Sequence, residues 1–468
     1  MKRNAAGRKP GRARRALWGG GFREAPGKAT SRLSVSHPFD RALAPHDIRG
    51  SVAHARGLWK AGLLSGRALA RLERALRTIA AEIGSGRFRF TDRDEDVHLN
   101  VERRQIELTG EDGAAIHAGR SRNDQVALDL RLWTAEAIDA ARGTLRGLGL
   151  ALLDGADRLL DAGVVVAART HMRPAQPILL AHAFHAYAEM LVRDRQRFAQ
   201  ARERTAVSPL GSGACAGTTL PLDRMAAARE LGWAAISGNS LDAVSDRDFV
   251  VEFIGAAAIA MVHLSSLAED LILWSGEEQP VLTLAEATTT GSSMMPQKRN
   301  PDPLELVRGK TGRVAGHLLG TVVTLKGLPL AYNRDLQETQ EPLYDAAETL
   351  MRSLAAVTEV VRGVEPVAKS RRPAIDPSAL ATDIAEELVR RGVPFRRAHE
   401  RVAAWCAASR AAGRDLREVS GEKDPRLRPF LEKLTPESAV ARRDLPGGTA
   451  PRRVRAALAR TRNELSRS

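Results

Sequence analysis

The stretch from Phe249 to Trp274 constrains the fold more than any other part of the sequence, because nearly every residue in it is apolar and many are alanines. A helix that is apolar on all sides must be buried among other helices. A lipid bilayer is the other possible surrounding, but ionisable residues interrupt the stretch at Glu252, His263, Glu269 and Asp270. Such groups are costly inside a membrane. We therefore predict a buried core helix and no membrane span.

A second long helix is predicted by apolar residues that recur at steps of three and four between Leu130 and Leu152. The pattern covers about twenty-five residues. Strand signals are weak, since Val164–Ala167 and Val322–Leu325 are short β-branched runs that do not alternate. The sequence predicts a mainly α fold with a central bundle of long helices, of the kind that subunits can share.

Length and composition divide the chain, because one compact unit rarely reaches 468 residues. Residues 1–16 are predicted to be a disordered basic tail, and residues 17–119 a domain of shorter helices. Residues 120–370 hold the long helices. Two prolines between 370 and 377 indicate a linker, after which residues 371–468 form a smaller helical domain.

The net charge of +15 first suggests a nucleic-acid partner, but the charge lies at the two ends. Residues 1–15 carry seven basic residues and no acid, and residues 452–468 carry six arginines and one glutamate. Only 4% of the chain is aromatic, which leaves little to stack on bases. We therefore predict no nucleic-acid partner.

The two cysteines, Cys215 and Cys406, are too few and too far apart for a disulfide framework or a CxxC metal site. This usage is typical of a reducing cytoplasm. The basic N-terminus lacks the apolar segment of a secretory signal. We expect a cytoplasmic protein.

Four polar stretches interrupt the helical pattern: "HAGRSRNDQV" (117–126), "RTHMRPAQPI" (169–178), "GSSMMPQKRNPDPLE" (291–305) and "AYNRDLQETQEP" (331–342). Each alone has a structural interpretation. Asn123 or Asp124 could cap a helix that follows, and Thr170 could cap another. Together, however, the four mix basic, amide and hydroxyl groups without apolar periodicity, which favours a binding site.

Several common sites are excluded. The glycine-rich "GSGACAG" (211–217) has no βαβ pattern around it, so a dinucleotide site is not expected. Neither GxxxxGK[ST] nor HExxH occurs, and Ser292 does not lie in a GxSxG elbow. We predict no cofactor and no metal.

The polar stretches suit acid–base chemistry on an anion. Guanidinium and ammonium groups bind carboxylates, and a carboxylate can polarise an imidazole into a proton relay. The amides of a Gly-Ser-Ser loop can stabilise a developing oxyanion. The candidate cations are Arg120, Arg122 and Lys298, the candidate relay is His171 with Glu305, and the neutral donors are Asn123, Thr170, Asn300, Tyr332 and Gln337.

"GSSMMPQKRNPD" resembles the signature GSSxMPxKxN of the fumarase/aspartase superfamily. Other stretches resemble its argininosuccinate lyase branch, in matching order from about Leu17 to Val454: "LWGGGF", "FDRALAPHDIRGSVAHA", "EDVHLNVERRQIELTGEDGAAIHAGRSRNDQVALD", "THMRPAQPI", "SDRDFVVEF", "AYNRDLQE", "GVPFRRAHE" and "GGTAP". The resemblance implies a three-domain helical subunit. It also implies a homotetramer with a twenty-helix core, in which each active site draws on three subunits.

The same resemblance implies reversible elimination of arginine from argininosuccinate to leave fumarate, without metal or redox cofactor. It makes Ser292 the base on a mobile lid. Lys298 stabilises the intermediate, and His171, paired with Glu305, is the acid or a relay. The implied substrate contacts are Ser36, His98, Arg122, Asn123, Thr170, Asn300, Tyr332 and Gln337.

Two positions depart from the family pattern. Gln340 in "QETQE" stands where the family has a substrate-binding lysine, and Gly21 stands where it has an arginine. The lost cation would weaken binding by about 1–3 kcal/mol. The change motivates one alternative, a paralogue that eliminates a different amine from a succinyl-type adduct. A non-catalytic structural relative is a second alternative, against which the intact Ser292 and Lys298 argue.

Overall fold

The computed structural model describes residues 27–278 and 280–467, and these residues are mostly helical. The predicted tail, the "LWGGGF" stretch and Gly21 lie outside the described residues. The described α-helices are Lys28–Ser34, His37–Asp40, Ala44–Lys60, Gly66–Gly84, Val97–Thr109, Glu111–Ala115, Arg122–Asp161, Leu180–Thr205, Arg224–Glu230, Ser240–Ser245, Asp248–Ser275, Asp302–Leu325, Gln340–Gly363, Ala381–Arg390, Phe395–Ala412, Leu416–Lys423, Arg428–Leu431, Pro436–Arg442 and Pro451–Ser466.

The described strands form two-stranded ribbons only. Val165–Thr170 pairs antiparallel with Arg173–Leu179, and Leu282–Thr283 pairs with Glu365–Pro366. Thr290–Gly291 pairs antiparallel with Arg299–Asn300, and Val207–Ser208 pairs in parallel with Ala235–Ile236. The mainly α prediction is confirmed.

Five helices of 24 to 40 residues dominate the described chain. The first, Arg122–Asp161, has 40 residues and is therefore longer than the predicted twenty-five. The prediction stopped short because Gly155 follows the apolar run. This glycine does not end the helix; it makes room for Phe184, whose ring atoms would lie 3.3 Å from an added Cβ.

The helix Asp248–Ser275 is the core helix that its composition predicts. By length and apolar character alone it is the one described helix that could cross a membrane, but more than half of its most apolar window is buried inside the fold. Its polar groups are bonded there. Asp270 accepts a hydrogen bond from the Tyr187 hydroxyl, and His263 Nδ1 lies 2.8 Å from Asp194 Oδ2.

The stretch 169–178 is a β-hairpin, which corrects the expectation that it begins a helix. Thr170 pairs with Arg173 across the turn and caps no helix; the next helix begins at Leu180. Pro174 and Pro177 are tolerated because a two-stranded ribbon has only edge strands. Sequence alone could not reveal the partner strand, since neither strand shows clean alternation.

The contacts divide the described chain into two compact units. The first comprises the described residues up to 138 with 200–253 and 318–344, and the second comprises 139–199, 254–317 and the residues from 345 onward. The predicted boundaries at 119 and 370 stay a prediction. Residues 380–439 nevertheless contain a hydrophobic cluster of their own, which includes Leu388, Val402 and Trp405.

The arginines of the last helix are bound to acidic side chains. Arg462 Nη1 lies 2.7 Å from Asp154 Oδ1, and Arg460 Nη2 lies 3.0 Å from Glu189 Oε1. Arg455 approaches Asp161 at 3.1 Å. Because acids of the same chain neutralise these charges, the last helix presents less positive charge to a nucleic acid than its composition suggests.

His54 should make stability fall with falling pH. It is buried in the helix Ala44–Lys60, with Nε2 2.9 Å from the Ala118 carbonyl oxygen, and burial lowers its pKa to about 3. In the unfolded chain His54 binds a proton below about pH 6.5, whereas in the folded chain it stays neutral. The free energy of unfolding therefore decreases as the pH falls below 6.5. Between pH 8 and pH 5 the loss is about 2 kcal/mol.

The measurement compares urea unfolding of the wild type and His54→Gln at both pH values. The wild type should lose about 2 kcal/mol more than the variant between pH 8 and pH 5. Equal losses would show that His54 is protonated in the folded protein.

Candidate active site

Seven of the predicted substrate-contact residues line one small pocket of the first unit: Ser36, His98, Arg122, Asn123, Tyr332, Gln337 and Gln340. Asp40, Asp96, Val126 and Arg334 complete its lining. The cavity measures about 30 Å³, room for about two water molecules. The described chain thus leaves little free volume here for an organic ligand.

A hydrogen-bonded network holds Ser36 and Asp40 in the lining of this pocket. The Ser36 hydroxyl donates to Asp40 Oδ2 at 2.6 Å, and the Val97 amide donates to Asp40 Oδ1 at 3.1 Å. The Glu95 carbonyl accepts from the Ser36 and His37 amides, while Glu95 itself takes a positive φ of 34°. Burial raises the pKa of Asp40 to about 6. Its neighbours thus hold Ser36 in one orientation.

Arg122 is the first residue of the longest described helix, and its guanidinium forms part of the pocket lining. Nη1 lies 2.9 Å from Glu95 Oε1 and Nη2 lies 3.1 Å from Asp96 Oδ2. Burial acts to lower its pKa, but the charges of Asp96 and Glu95 outweigh burial and raise it. The group stays cationic, and the two carboxylates fix its plane. Asn123 Nδ2 donates to the Ala214 carbonyl at 3.1 Å.

Asp124 explains the glycine-rich stretch 211–217. Its Oδ2 accepts the amides of Gly211 and Gly213 at 3.0 and 2.9 Å, and its Oδ1 accepts the Ser121 amide at 2.9 Å. Gly213 has φ +60°, and an added Cβ would lie 2.7 Å from the Gly217 carbonyl. The stretch is a tight loop fastened to the helix start. Ser121, whose hydroxyl accepts the Asn123 amide, caps the helix instead of the predicted Asn123 or Asp124.

His98 lies at the buried end of the pocket between two carboxylates. Its Nδ1 is 3.2 Å from Asp47 Oδ1 and 3.3 Å from Asp129 Oδ2. Within the described chain these three residues form the group whose ligand atoms are close enough to hold a metal ion. The contact with Asp47 is a hydrogen bond, whereas Asp129 approaches at ion-pair distance and neither of its oxygens has a hydrogen-bond partner among the described residues. Two carboxylates at these distances can stabilise one imidazolium.

Thr170 and His171 lie in the second unit, at the tip of the hairpin. The two central turn residues, His171 and Met172, have φ of 51° and 58°. Positive φ at both positions defines a type I′ turn, which normally favours asparagine and glycine. A histidine in this conformation is strained, and its side chain is exposed at the tip of the hairpin. Strained residues of this kind cluster at functional sites.

The signature stretch forms a loop closed by a short ribbon. Thr290 pairs with Asn300 and Gly291 with Arg299, and the residues between them are mostly exposed. The Ser292 Oγ accepts the amides of Met294 at 3.3 Å and Met295 at 3.1 Å. Two amide donors directed at one hydroxyl oxygen stabilise negative charge on it.

Lys298, Asn300 and Glu305 line a larger cavity of about 990 Å³ in the second unit. Glu305 lies in the first turn of the helix Asp302–Leu325, and its Oε1 is 3.9 Å from Arg308 Nη2. No described contact joins it to His171. The pairing of these two residues stays a prediction.

The structure thus gathers the predicted residues into two groups, one in each unit. Sequence reasoning missed the acidic partners Asp40, Asp47, Asp96 and Asp129, although each stands in a stretch that was singled out. Asp40 and Asp47 lie in two successive helices, His37–Asp40 and Ala44–Lys60, so no single helical period links them. The sequence of a short window could not show that both side chains are buried.

A protein-family model described as "Lyase" matches residues 22–316, and one described as "Argininosuccinate lyase C-terminal" matches residues 378–441. The argininosuccinate lyase of Moorella thermoacetica is 47% identical over 96% of this chain and 98% of its own length. That of Thiobacillus denitrificans is 46% identical over 96% of this chain and 98% of its own.

Solved structures of two lyases have a similar fold. An EDDS lyase in complex with formate has a TM-score of 0.80 at 27% identity and covers 93% of this chain and 88% of its own. A class II fumarase from Schistosoma mansoni has a TM-score of 0.73 at 18% identity and covers 85% of this chain and 90% of its own. At that identity the likeness concerns the fold alone.

Proposed function

We propose, because this chain belongs to the argininosuccinate lyase family, that it catalyses the reversible elimination of L-arginine from argininosuccinate, which leaves fumarate. The reaction makes it a carbon–nitrogen lyase. The observation that carries the proposal is the match to an argininosuccinate lyase over 96% of this chain and 98% of the relative, at 47% identity. The reaction places the enzyme in arginine biosynthesis.

The elimination begins with removal of a proton from the carbon next to a substrate carboxylate. We assign this step to Ser292 Oγ. The amides of Met294 and Met295, both directed at Oγ, support the assignment because they lower the cost of an alkoxide. The electron pair of the broken C–H bond moves into the carboxylate and gives an aci-carboxylate dianion.

Collapse of the dianion forms the double bond of fumarate and breaks the bond from carbon to the guanidinium nitrogen. A proton must reach that nitrogen as arginine leaves. His171, presented at the tip of the hairpin and paired with Glu305, is the proposed acid or relay. The Lys298 ammonium group offsets the charge of the dianion, and Asn300 orients the carboxylate that carries this charge. Ser292 reacts as the alkoxide and gains the proton that the carbon loses, while the leaving nitrogen gains the proton that His171 gives up. Transfer of one proton from the Ser292 hydroxyl back to His171 restores both groups.

Recognition of the substrate falls to the pocket of the first unit. Arg122 is held by Glu95 and Asp96 and can meet a carboxylate in a fixed plane. Ser36, Asn123, Tyr332 and Gln337 add neutral donors, and Thr170 contacts the substrate from the hairpin. These assignments follow the family pattern, position by position.

We further propose a cytoplasmic homotetramer whose active sites combine groups from different subunits. Apolar side chains at helical spacing are exposed on the long helices, such as Leu319 with Val322 and Val323, and Ile259 with Val262. Five long helices per chain agree with a twenty-helix core. Cys215 and Cys406 are free thiols, as expected in a reducing compartment.

The decisive assay is fumarate release from argininosuccinate, followed by ultraviolet absorbance on the purified protein. Turnover supports the proposal. A folded protein without turnover would favour the paralogue with a different leaving group, which a panel of N-succinyl amines would then identify.

Shared sites have a separate test, namely mixing Arg122→Ala with Ser292→Ala after each has been dissociated. Reassociated hybrids should regain activity, since some sites receive both intact residues. Mixtures as inactive as their components would contradict shared sites, and sedimentation would report the number of subunits.

Gln340→Lys should lower KM about tenfold. Gln340 is buried in the pocket, where its Oε1 accepts a hydrogen bond from the Tyr344 hydroxyl at 3.3 Å. A lysine there would add an ammonium donor to a carboxylate ligand. Steady-state kinetics on both variants, with Gln340→Met as the uncharged control of similar length, separates charge from shape. An unchanged or raised KM for the lysine variant would mean that the pocket is built for a neutral residue.

A further inference from the structure

The proposed chemistry leaves two buried carboxylates without a role. Asp47 and Asp129 are 1% and 0% exposed, and both face Nδ1 of His98, which is 3% exposed. Asp47 lies in the helix Ala44–Lys60 and Asp129 in Arg122–Asp161, so three separate helices contribute one side chain each. Burying two carboxylates costs free energy unless opposite charges and hydrogen bonds compensate for their lost hydration.

The local packing is shaped around these acids. A Cβ added at Gly50 would lie 3.0 Å from Leu128 Cδ2 and 3.3 Å from Asp129 Oδ1, so the glycine gives both side chains room without a shift. Asp47 Oδ1 also accepts a hydrogen bond from Gln125 Nε2. Arg120, with Nη1 2.8 Å from Ser51 Oγ, lies close enough to interact with both carboxylates. The arrangement orients both acids toward the imidazole.

The contacts decide which nitrogen of His98 can reach a ligand. Asp47 Oδ1 is hydrogen-bonded to Nδ1, and Asp129 Oδ2 lies 3.3 Å from the same atom. This fits a proton on Nδ1 whenever Asp129, whose pKa burial raises to about 7, is ionised. The ring also lines the substrate pocket, so Nε2 is the nitrogen left for a ligand. If Nε2 also carries a proton, the ring is an imidazolium and presents a charged donor. If it does not, the ring presents a lone pair that would repel a carboxylate.

The charge of the pocket lining favours the imidazolium. The other charged side chains that line the pocket are Asp40, Asp96, Arg122 and Arg334, which balance to zero when all are ionised. Asp47, Asp129 and Arg120, which surround the ring, add a net charge of −1 when all are ionised. A protonated His98 cancels that charge, so a dicarboxylate ligand meets a less negative pocket than it would with a neutral His98. Burial acts to lower the pKa of His98, but the interactions with Asp129 and Asp47 outweigh burial and raise it well above the ordinary value.

We propose that Asp47 and Asp129 are positioning residues that hold His98 as an imidazolium and direct its Nε2–H at a carboxylate of the bound substrate. This inference rests on the proposed function for the identity of the ligand. Neither acid touches the substrate; both act through His98. The ionisable groups that surround the ring and share its electrostatics are Asp40, Asp96, Arg120, Arg122 and Tyr344.

The first test observes the imidazole directly, without substrate. Full-length deuterated protein labelled at histidine Cε1 is titrated by NMR from pH 6 to pH 9, and His98→Gln assigns the signal. His98 of the wild type should remain protonated at pH 8. In Asp129→Asn and in Asp47→Asn, its titration should move down toward the ordinary range. Asp112→Asn, which removes an acid paired with Arg71 at the surface, is the matched control and should change nothing.

The second test measures binding, with succinate as a dicarboxylate probe. Asp129→Asn should weaken succinate binding at pH 8 about tenfold and raise KM more than it lowers kcat. Gln340→Lys, which returns a cation to the same pocket, should restore most of that loss. A merely structural role for Asp129 would not be rescued by a charge at position 340.

The outcomes are separable. A His98 that is neutral at pH 7 in the wild type would overturn the inference, as would succinate binding that Asp129→Asn leaves unchanged. A stoichiometric divalent metal in the purified protein, lost in Asp129→Asn, would also overturn it, because the trio would then be a metal site. If argininosuccinate is not turned over but the NMR and succinate results hold, the inference stands and the proposed substrate fails.

Discussion

Ser292→Ala should lower kcat by about 10²–10⁴-fold while the protein keeps its fold and its state of assembly. Ser292 Oγ is the oxygen toward which the amides of Met294 and Met295 point, so the substitution removes both the proton acceptor and the group that these amides stabilise. The loop is exposed and closed by its own ribbon, which limits any effect on the core. Single-turnover release of fumarate is the measurement.

Ser293→Ala is the matched control, because Ser293 lies in the same loop and no described hydrogen bond involves its hydroxyl. It should retain turnover within a few-fold of the wild type. If instead Ser293→Ala is inactive and Ser292→Ala is active, the base is Ser293, and the two amides at Ser292 merely stabilise the turn.

Asp383→Ala should destabilise the C-terminal helices by about 3 kcal/mol. Asp383 is 3% exposed and accepts two hydrogen bonds from Arg443, at 3.0 and 2.8 Å. Its loss leaves a guanidinium that is largely buried without its counter-charge. Breaking a buried pair costs about 3–5 kcal/mol, and the lower end applies because Arg443 keeps 21% of its surface exposed.

Hydrogen exchange detects this effect locally. Amides of Ala381–Arg390 and Phe395–Ala412 should exchange on the order of 100-fold faster in the variant. Arg452→Ala is the control, because Arg452 pairs with Asp444 at the surface and its removal should cost less than about 1 kcal/mol. Equal exchange in Asp383→Ala and the wild type would mean that the pair adds nothing to stability.

Sequence patterns predicted the long helices well, because burial on one face imposes a period that local composition reveals. The core helix Asp248–Ser275 is in place, and the helix Arg122–Asp161 contains the apolar run that predicted it. The hairpin at 165–179 was not predicted, since its stability lies in pairing between two strands that look unremarkable alone. The cap assignment also failed at Ser121, whose hydroxyl accepts the Asn123 amide while Asp124 accepts the amide of Ser121 itself.

The sequence by itself determined the mainly helical class and the family, and it supplied the candidate polar groups of the site. These depend on residue types and short-range spacing, which a sequence displays directly. Only the tertiary structure decided that seven of those groups share one pocket and that His171 stands on a strained turn. It alone decided that Asp47 and Asp129 flank His98. Those three residues lie 31 to 82 positions apart, and packing of separate helices, which no local pattern encodes, brings them within hydrogen-bond distance.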